Sequence, residues 1–293
     1  MTILDGKYIA QQIRHELHEE VAAIVAQGQQ APHLGIVIVG HNPASETYVR
    51  NKIRACEEVG IIAERIAFED TITEEELLQE IDKLNQDPAI DGFIVQLPLP
   101  QHINEQHITS AIDYRKDVDG LTPENVGRTS QGLPSIVSAT PRGIRELLAR
   151  YDIPTDGKHV VVIGRSNIVG KPMAQLLMQK HERGNATVTL CHSHTHNLKD
   201  LCRMADIIIV ATGCASLLTE DMVHDGVTVI DVGINRVPDA NATRGYRLVG
   251  DVDFEHVAPH CAYITPVPGG VGPMTIVSLL QNTLQAAREQ RLK

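Results

Sequence analysis

Apolar residues along this chain follow two alternating patterns, spacing by three and four and short unbroken β-branched runs. Ile9, Ile13, Leu17, Val21 and Ile24 predict an amphipathic helix over Lys7 to Gln27. Leu34-Gly-Ile-Val-Ile-Val39, ending at Gly40, reads as a buried strand. A helix opened by Asn42 and Pro43 and stopped by Gly60 comes next. A strand over Ile61–Phe68 and a helix from the capping box at Thr73–Glu76 to about Asn85 follow. Gly92-Phe-Ile-Val-Gln96 is another buried strand, cut short by Pro98 and Pro100. A short helix near Glu105–Ile112 leads into Lys116-Asp-Val-Asp119-Gly120.

Leu121 to Ser138 is rich in Gly, Pro, Ser, Thr and Asn and shows little periodicity, so it reads as an irregular crossing between domains. Thr140-Pro141 is expected to cap a helix through Tyr151. A second series follows: strands at His159–Ile163, Thr187–Leu190, Ile207–Val210 and Val227–Asp231, helices from Gly170 and near Asn197–Met204. Pro273 to Lys293 is one long striped helix.

Alternating strands and helices with short links predict an α/β fold of parallel sheets covered on both faces. Two lobes are expected. Residues 1–138 form a three-layer α/β domain and 139–272 a Rossmann-like nucleotide-binding domain, with 273–293 returning to the first. Ligands of such sheets bind outside the carboxyl ends of the strands, where Gly40, Gln96 and the Asp119 loop fall.

The length, 293 residues, suits two cores better than one, and 42% hydrophobic residues can fill them. A formal charge of −11 argues against nucleic-acid or anionic-membrane partners. The five cysteines form no C-x-x-C pair and read as reduced thiols. With no signal-peptide pattern and no apolar run near ~20 residues, a soluble, cytoplasmic protein is expected.

Tyr48 and Lys52 lie four apart on the predicted Pro43 helix, hence on one face. That spacing fits a ring and an amine on a flat heterocycle; it fits a solvated surface pair equally, the commoner case for lysine. In Val160-Val-Val-Ile-Gly164-Arg-Ser-Asn-Ile-Val-Gly170, a strand turns into a helix with glycines where a pyrophosphate could approach. Ser166 replaces the second glycine of the usual dinucleotide fingerprint, and any tight strand-to-helix turn can use two glycines. The next strand ends Leu190-Cys191-His192-Ser193 without the carboxylate that binds NAD ribose, and Arg165 follows Gly164. NADP is therefore favoured over NAD. His192, His194 and His196 alternate and would share a face if extended, but lack a carboxylate or Cys partner at ligand spacing, so no metal is expected.

Thr265-Pro-Val-Pro-Gly-Gly-Val-Gly-Pro-Met-Thr275 is the most distinctive stretch. Together with Tyr48/Lys52, Val95–Pro100, Lys116–Gly120, Gly164–Gly170 and Asp231-Val-Gly-Ile-Asn235, it resembles the bifunctional methylenetetrahydrofolate dehydrogenase/cyclohydrolase family. The resemblance runs from Leu4 to the last helix. It implies oxidation of 5,10-methylenetetrahydrofolate with NADP and hydration of the product to 10-formyltetrahydrofolate, in one-carbon metabolism that serves purine biosynthesis. By that resemblance Tyr48 stacks on the pterin, Lys52 is catalytic, Gln96 partners the lysine and Asp119 binds the pterin. Leu97, Pro98, Pro266, Gly269 and Gly270 would line the folate cleft. The nucleotide would rest on Thr140, Gly164, Arg165, Ser166, Val169, Gly170, His192, Ser193, Thr212, Gly213, Ile234, Gly272 and Thr275, with Arg165 and Ser193 at the 2′-phosphate. A homodimer is implied as well.

The sequence departs from the family at three places. Ala139 stands where a cysteine is usual, Arg54 replaces a common second lysine, and His194 and His196 occupy positions often basic. Two alternatives stay open: a dehydrogenase with weak hydration activity, and a silent folate- or nucleotide-binding regulator.

Overall fold

The computed structural model describes residues 1–239 and 245–291. β1 (Thr2–Ile3) leads into α1 (Gly6–Ala26), β2 (His33–Val39), α2 (Pro43–Val59), β3 (Ile62–Phe68), α3 (Glu74–Gln86) and β4 (Gly92–Val95). Helices α4 (Glu105–Ala111), α5 (Pro123–Gln131) and α6 (Ala139–Arg150) follow. The second series is β5 (His159–Ile163), α7 (Gly170–Met178), β6 (Thr187–Cys191), α8 (Leu198–Arg203) and β7 (Ile207–Val210). The chain continues through β8 (Val227–Asp231), β9 (Asn235–Pro238), β10 (Tyr246–Val249), α9 (Phe254–Val257), β11 (Cys261–Ile264) and α10 (Val271–Gln290).

The chain divides into two compact units, Met1–Ala10 with Thr140–Thr275 and Gln11–Ala139 with Ile276–Lys293. In the unit of Gln11–Ala139, three parallel strands run β3-β2-β4. Val37, Val39, Phe93 and Val95 pack with Leu77 and Ile81 of α3. The other unit carries a six-stranded sheet in the order β1-β11-β8-β7-β5-β6, parallel throughout, and the antiparallel pair β9/β10. Val161, Ile163, Ile208, Val210 and Val229 lie in its core. Each sheet reverses direction of growth beside its first-laid central strand: between β2 and β4 in one, between β5 and β7 in the other. Those reversals open crevices at the carboxyl ends. Among the described residues no helix is long and apolar enough to cross a membrane.

The α/β class and parallel sheets match the sequence reading, with several corrections. Residues 1–10 are expected with the first domain but belong to the unit of the six-stranded sheet, because β1 pairs with β11. The stretch expected to be irregular contains α5, capped by Thr122 Oγ1 accepting from Asn125 N and closed by Gly132 at φ +69°. Helix α6 starts at Ala139, so Thr140 lies in its first turn instead of capping it. Helix α10 starts two residues before the expected Pro273 and is described only to Gln290; Leu292 and Lys293 lie outside the described residues.

Candidate active site

Helix α2 starts where β2 ends, at the crevice of its sheet. Asn42 caps it, its Oδ1 accepting from Ser45 N at 3.2 Å. Gly60 at φ +80° ends it, with Ile61 N donating to Cys56 O at 3.0 Å. The cap and stop fix which face Tyr48, Lys52 and Cys56 share. Tyr48 is exposed, Lys52 half-buried and Cys56 fully buried.

Lys52 Nζ donates to Gln96 Oε1 at 3.1 Å. Gln96 follows β4, its backbone N–H donating to Val37 O at 2.8 Å and its side-chain amide to Leu97 O at 2.7 Å. The amide is thus oriented with its oxygen toward the amine. Burial lowers the Lys52 pKa from 10.5, opposed by the Asp119 carboxylate and by Cys56. Burial raises Asp119 from 3.8, opposed by Lys52 and aided by Asp117. Both groups are driven toward their neutral forms by the same loss of water. The Cys56 thiol is pushed up to about 12, chiefly by burial, and stays protonated beside the lysine.

The loop carrying Asp119 is built by a carboxylate that the sequence reading passed over. Asp117 is buried and accepts from Gly120 N at 2.9 Å, Thr122 N at 2.7 Å and Asn125 Nδ2 at 3.0 Å. Gly120 sits at φ +69°, where a Cβ would come within 2.5 Å of Ser138 N. From α10, buried Asn282 donates to Val118 O at 2.7 Å and Val137 O at 2.9 Å. Asp117 lies in the Lys116–Gly120 motif but has no role assigned from sequence, and Asn282 lacks any local pattern that marks it; only the chain's return brings Asn282 here. Leu97 is half-buried and Pro98 exposed beyond Gln96, joined by a cis peptide bond. Pro266, Gly269 and Gly270 belong to the other unit, where Gly269 O accepts from Lys7 N at 2.9 Å.

In the nucleotide unit, β5 runs into Gly164 at φ +115°, and a Cβ there would meet Ala211 O at 2.1 Å. Gly170 packs as closely, its virtual Cβ 1.9 Å from Gly164 O. Ser166 Oγ accepts from Val169 N at 3.1 Å and Gly170 N at 3.4 Å, and Val169 caps α7 without a side-chain bond. Arg165 is exposed and close enough to lower the His192 pKa, together with partial burial, the larger cause, and His194. His192 to Thr195 is a turn, with Thr195 N donating to His192 O at 2.8 Å, so the three histidines are not an extended row. Among the described residues no cluster of three His, Cys, Asp or Glu side chains could hold a metal. Ser193, Thr212 and Gly213 are exposed after β6 and β7. Ile234 packs 3.8 Å from the position a Gly272 Cβ would take, and Thr140 and Thr275 join hydroxyls at 3.0 Å. Asp231, Asp251 and Asn235, not assigned from sequence, support the Thr212 turn.

The glycine turn at the switch point fits a dinucleotide: close-packed glycines at a strand-to-helix turn and an exposed arginine beside them. Fold and site define a dinucleotide-binding α/β protein whose other unit holds a desolvated lysine. Residues 4–119 match the tetrahydrofolate dehydrogenase/cyclohydrolase catalytic domain, and 138–291 match that family's NAD(P)-binding domain. The bifunctional protein FolD of Porphyromonas gingivalis is 59% identical over 286 residues, 98% of this chain and 97% of its own. The crystal structure of the Campylobacter jejuni FolD methylenetetrahydrofolate dehydrogenase/cyclohydrolase matches at TM-score 0.93 and 48% identity, covering 99% of each chain. The Trypanosoma brucei enzyme, complexed with NADP cofactor and inhibitor, matches at TM-score 0.92 and 39% identity over 99% of this chain and 98% of its own. This chain belongs to the tetrahydrofolate dehydrogenase/cyclohydrolase family.

Proposed function

We propose that the protein oxidises 5,10-methylenetetrahydrofolate with NADP⁺ and hydrates the methenyl product to 10-formyltetrahydrofolate. The observation that carries this reading is the half-buried Lys52 amine, held at 3.1 Å by neutral Gln96 and facing Asp119. Family membership supplies the substrate class.

Asp119 is assigned to the pterin's amidine edge, where a carboxylate accepts from adjacent N–H groups; a charge-assisted bond of this kind contributes about 1.5–3 kcal/mol. Exposed Tyr48 offers its ring for stacking on the pterin. Bound NADP⁺ would supply the hydride acceptor for oxidation at the substrate's methylene carbon. The residues Gly164, Arg165, Ser166, Gly170 and Ser193 would hold the nucleotide, with Arg165 and Ser193 on the 2′-phosphate. The missing carboxylate at the end of β6 supports NADP over NAD. In hydration, water attacks the methenyl carbon and gives one proton to Lys52, leaving a carbinol; as the carbon–N5 bond opens, the carbinol's remaining O–H proton passes to N5 and the carbon becomes the formyl group on N10. Burial, by lowering the lysine's pKa, favours the neutral amine that can take that proton. Gln96 orients the amine without the negative charge that would restore its basicity.

Purified protein given methylenetetrahydrofolate with NADP⁺ or NAD⁺, with reduced-nicotinamide and methenyl absorbance followed separately, tests both steps. Reduced cofactor should form faster with NADP⁺, and methenyl absorbance should not accumulate. No reduction with either nucleotide would sink the dehydrogenase assignment. A cytoplasmic homodimer completes the reading, supported by the family resemblance; light scattering should give about twice the 32.1 kDa chain mass.

A further inference from the structure

Beneath the exposed Thr212–Gly213 turn lies a fully buried carboxylate, Asp251. Its Oδ2 accepts from Thr212 N at 2.6 Å, Thr212 Oγ1 at 2.9 Å and Gly213 N at 2.9 Å. Its Oδ1 accepts from Asn235 Nδ2 at 2.8 Å. The turn follows β7, the neighbour of β5 at the reversal of the sheet. Ala211, which leads into it, is the residue whose carbonyl closes on Gly164. Asp251 therefore acts through Thr212 and Gly213 on the backbone against which the Gly164 turn packs.

Asp251 is itself placed by a second buried carboxylate. Asp231 accepts from Asp251 N at 2.9 Å, Gly233 N at 3.0 Å and Val252 N at 3.0 Å. Two glycines make room for the pair: a Cβ on Gly233 would lie 2.0 Å from Asp251 Oδ1, and one on Gly250 1.7 Å from Asp231 Oδ2. A pair of desolvated carboxylates is a costly way to shape a surface turn unless the shape is used.

We propose that Asp251 is a positioning residue of the dinucleotide site, fixing the Thr212–Gly213 turn in the conformation that seats the cofactor. This rests on the nucleotide reading above and adds the residue that sets its affinity. An asparagine at 251 could keep one oxygen toward the turn, with the Asn235 amide turned to accept from its new NH₂. Alanine removes the acceptor shared by the three donors of the turn and the Asn235 amide.

Full-length Asp251→Ala and Asp251→Asn are titrated with NADP⁺ by equilibrium dialysis, and hydration of methenyltetrahydrofolate, which uses no nucleotide, is measured on the same samples. For Asp251→Ala the NADP⁺ Kd should rise at least about tenfold, the size expected for losing hydrogen bonds to a charged acceptor. Asp251→Asn should recover to within about threefold, and hydration should fall far less than nucleotide binding in both. A Kd for Asp251→Ala within about twofold of wild type overturns the proposal, as does a loss of hydration by the same factor as binding. A flat wild-type titration would refute the nucleotide reading itself and this inference with it.

Discussion

Lys52 is a surface-type residue made chemical by its surroundings. Burial disfavours its ammonium, while Asp119 and Cys56 favour it; the net direction is down from 10.5. In the proposed mechanism the neutral amine is the base, so hydration turnover should climb with pH through the folded-state pKa and level off above it. Replacing Gln96 with Glu puts a carboxylate where Oε1 now stands, 3.1 Å from Nζ. That stabilises the ammonium and moves the rising limb to higher pH. On the rising limb, turnover at a fixed pH then falls about tenfold for every pH unit by which the limb moves. A pH–rate profile of Gln96→Glu superimposable on wild type would contradict the role given to this pair. The proposed chemical residues Tyr48, Lys52, Gln96 and Asp119 are singled out in sequence by the family resemblance and not by spacing alone, and the fold brings Lys52 Nζ to 3.1 Å from Gln96 Oε1. Their supports are not singled out in this way. Asp117, Asn282 and Asp251 look like any polar residue until the fold buries them.

Elements with an apolar period or a capping box were read almost to the residue: the Thr73 box opens α3, with Glu76 N donating to Thr73 Oγ1 at 3.2 Å. Helix α5 was missed because its buried positions are Asn125 and Thr129, which leave no apolar stripe to detect. Thr122-Pro123 and Gly132 were its signals, and they were lost in a composition that reads as loop. Strands β1 and β11 are too short for a pattern and are defined by their partners. At this scale the glycine turn after β5 is the most demanding element. Gly164→Ala combines φ +115° with a Cβ 2.1 Å from Ala211 O. It should cost about 1–3 kcal/mol from backbone strain alone and more from the clash. Thermal unfolding and NADP⁺ titration of the variant should both show the loss; a wild-type Kd would mean that the turn's geometry is immaterial to the cofactor.

Each compact unit takes a segment from the far end of the chain, residues 1–10 for one and 276–293 for the other. The return of the last helix was legible in sequence, because no strand remained for it to join. The placement of residues 1–10 was not, since β1 finds its partner more than 250 residues away. The C-terminal return is anchored by Arg291, whose Nη2 donates to Asp91 Oδ2 at 2.6 Å and whose Nε donates to Oδ1 at 2.5 Å. Asp91 is 2% exposed and otherwise accepts from His33 N at 2.8 Å. Arg291→Ala should destabilise the fold by about 2–3 kcal/mol, less than a fully buried pair because the guanidinium is partly in water. Urea unfolding would check this, and an unshifted midpoint would show that the anchor is idle.

These scales meet in one functional claim, that a desolvated lysine on α2 performs the hydration step. The most direct test is the decay of methenyltetrahydrofolate absorbance with wild-type protein and Lys52→Met, once circular dichroism has shown both folded. Removal of the base should lower enzyme-catalysed turnover by at least about a hundredfold, the lower end of what general base catalysis supplies. Turnover by Lys52→Met within about threefold of wild type would contradict the account.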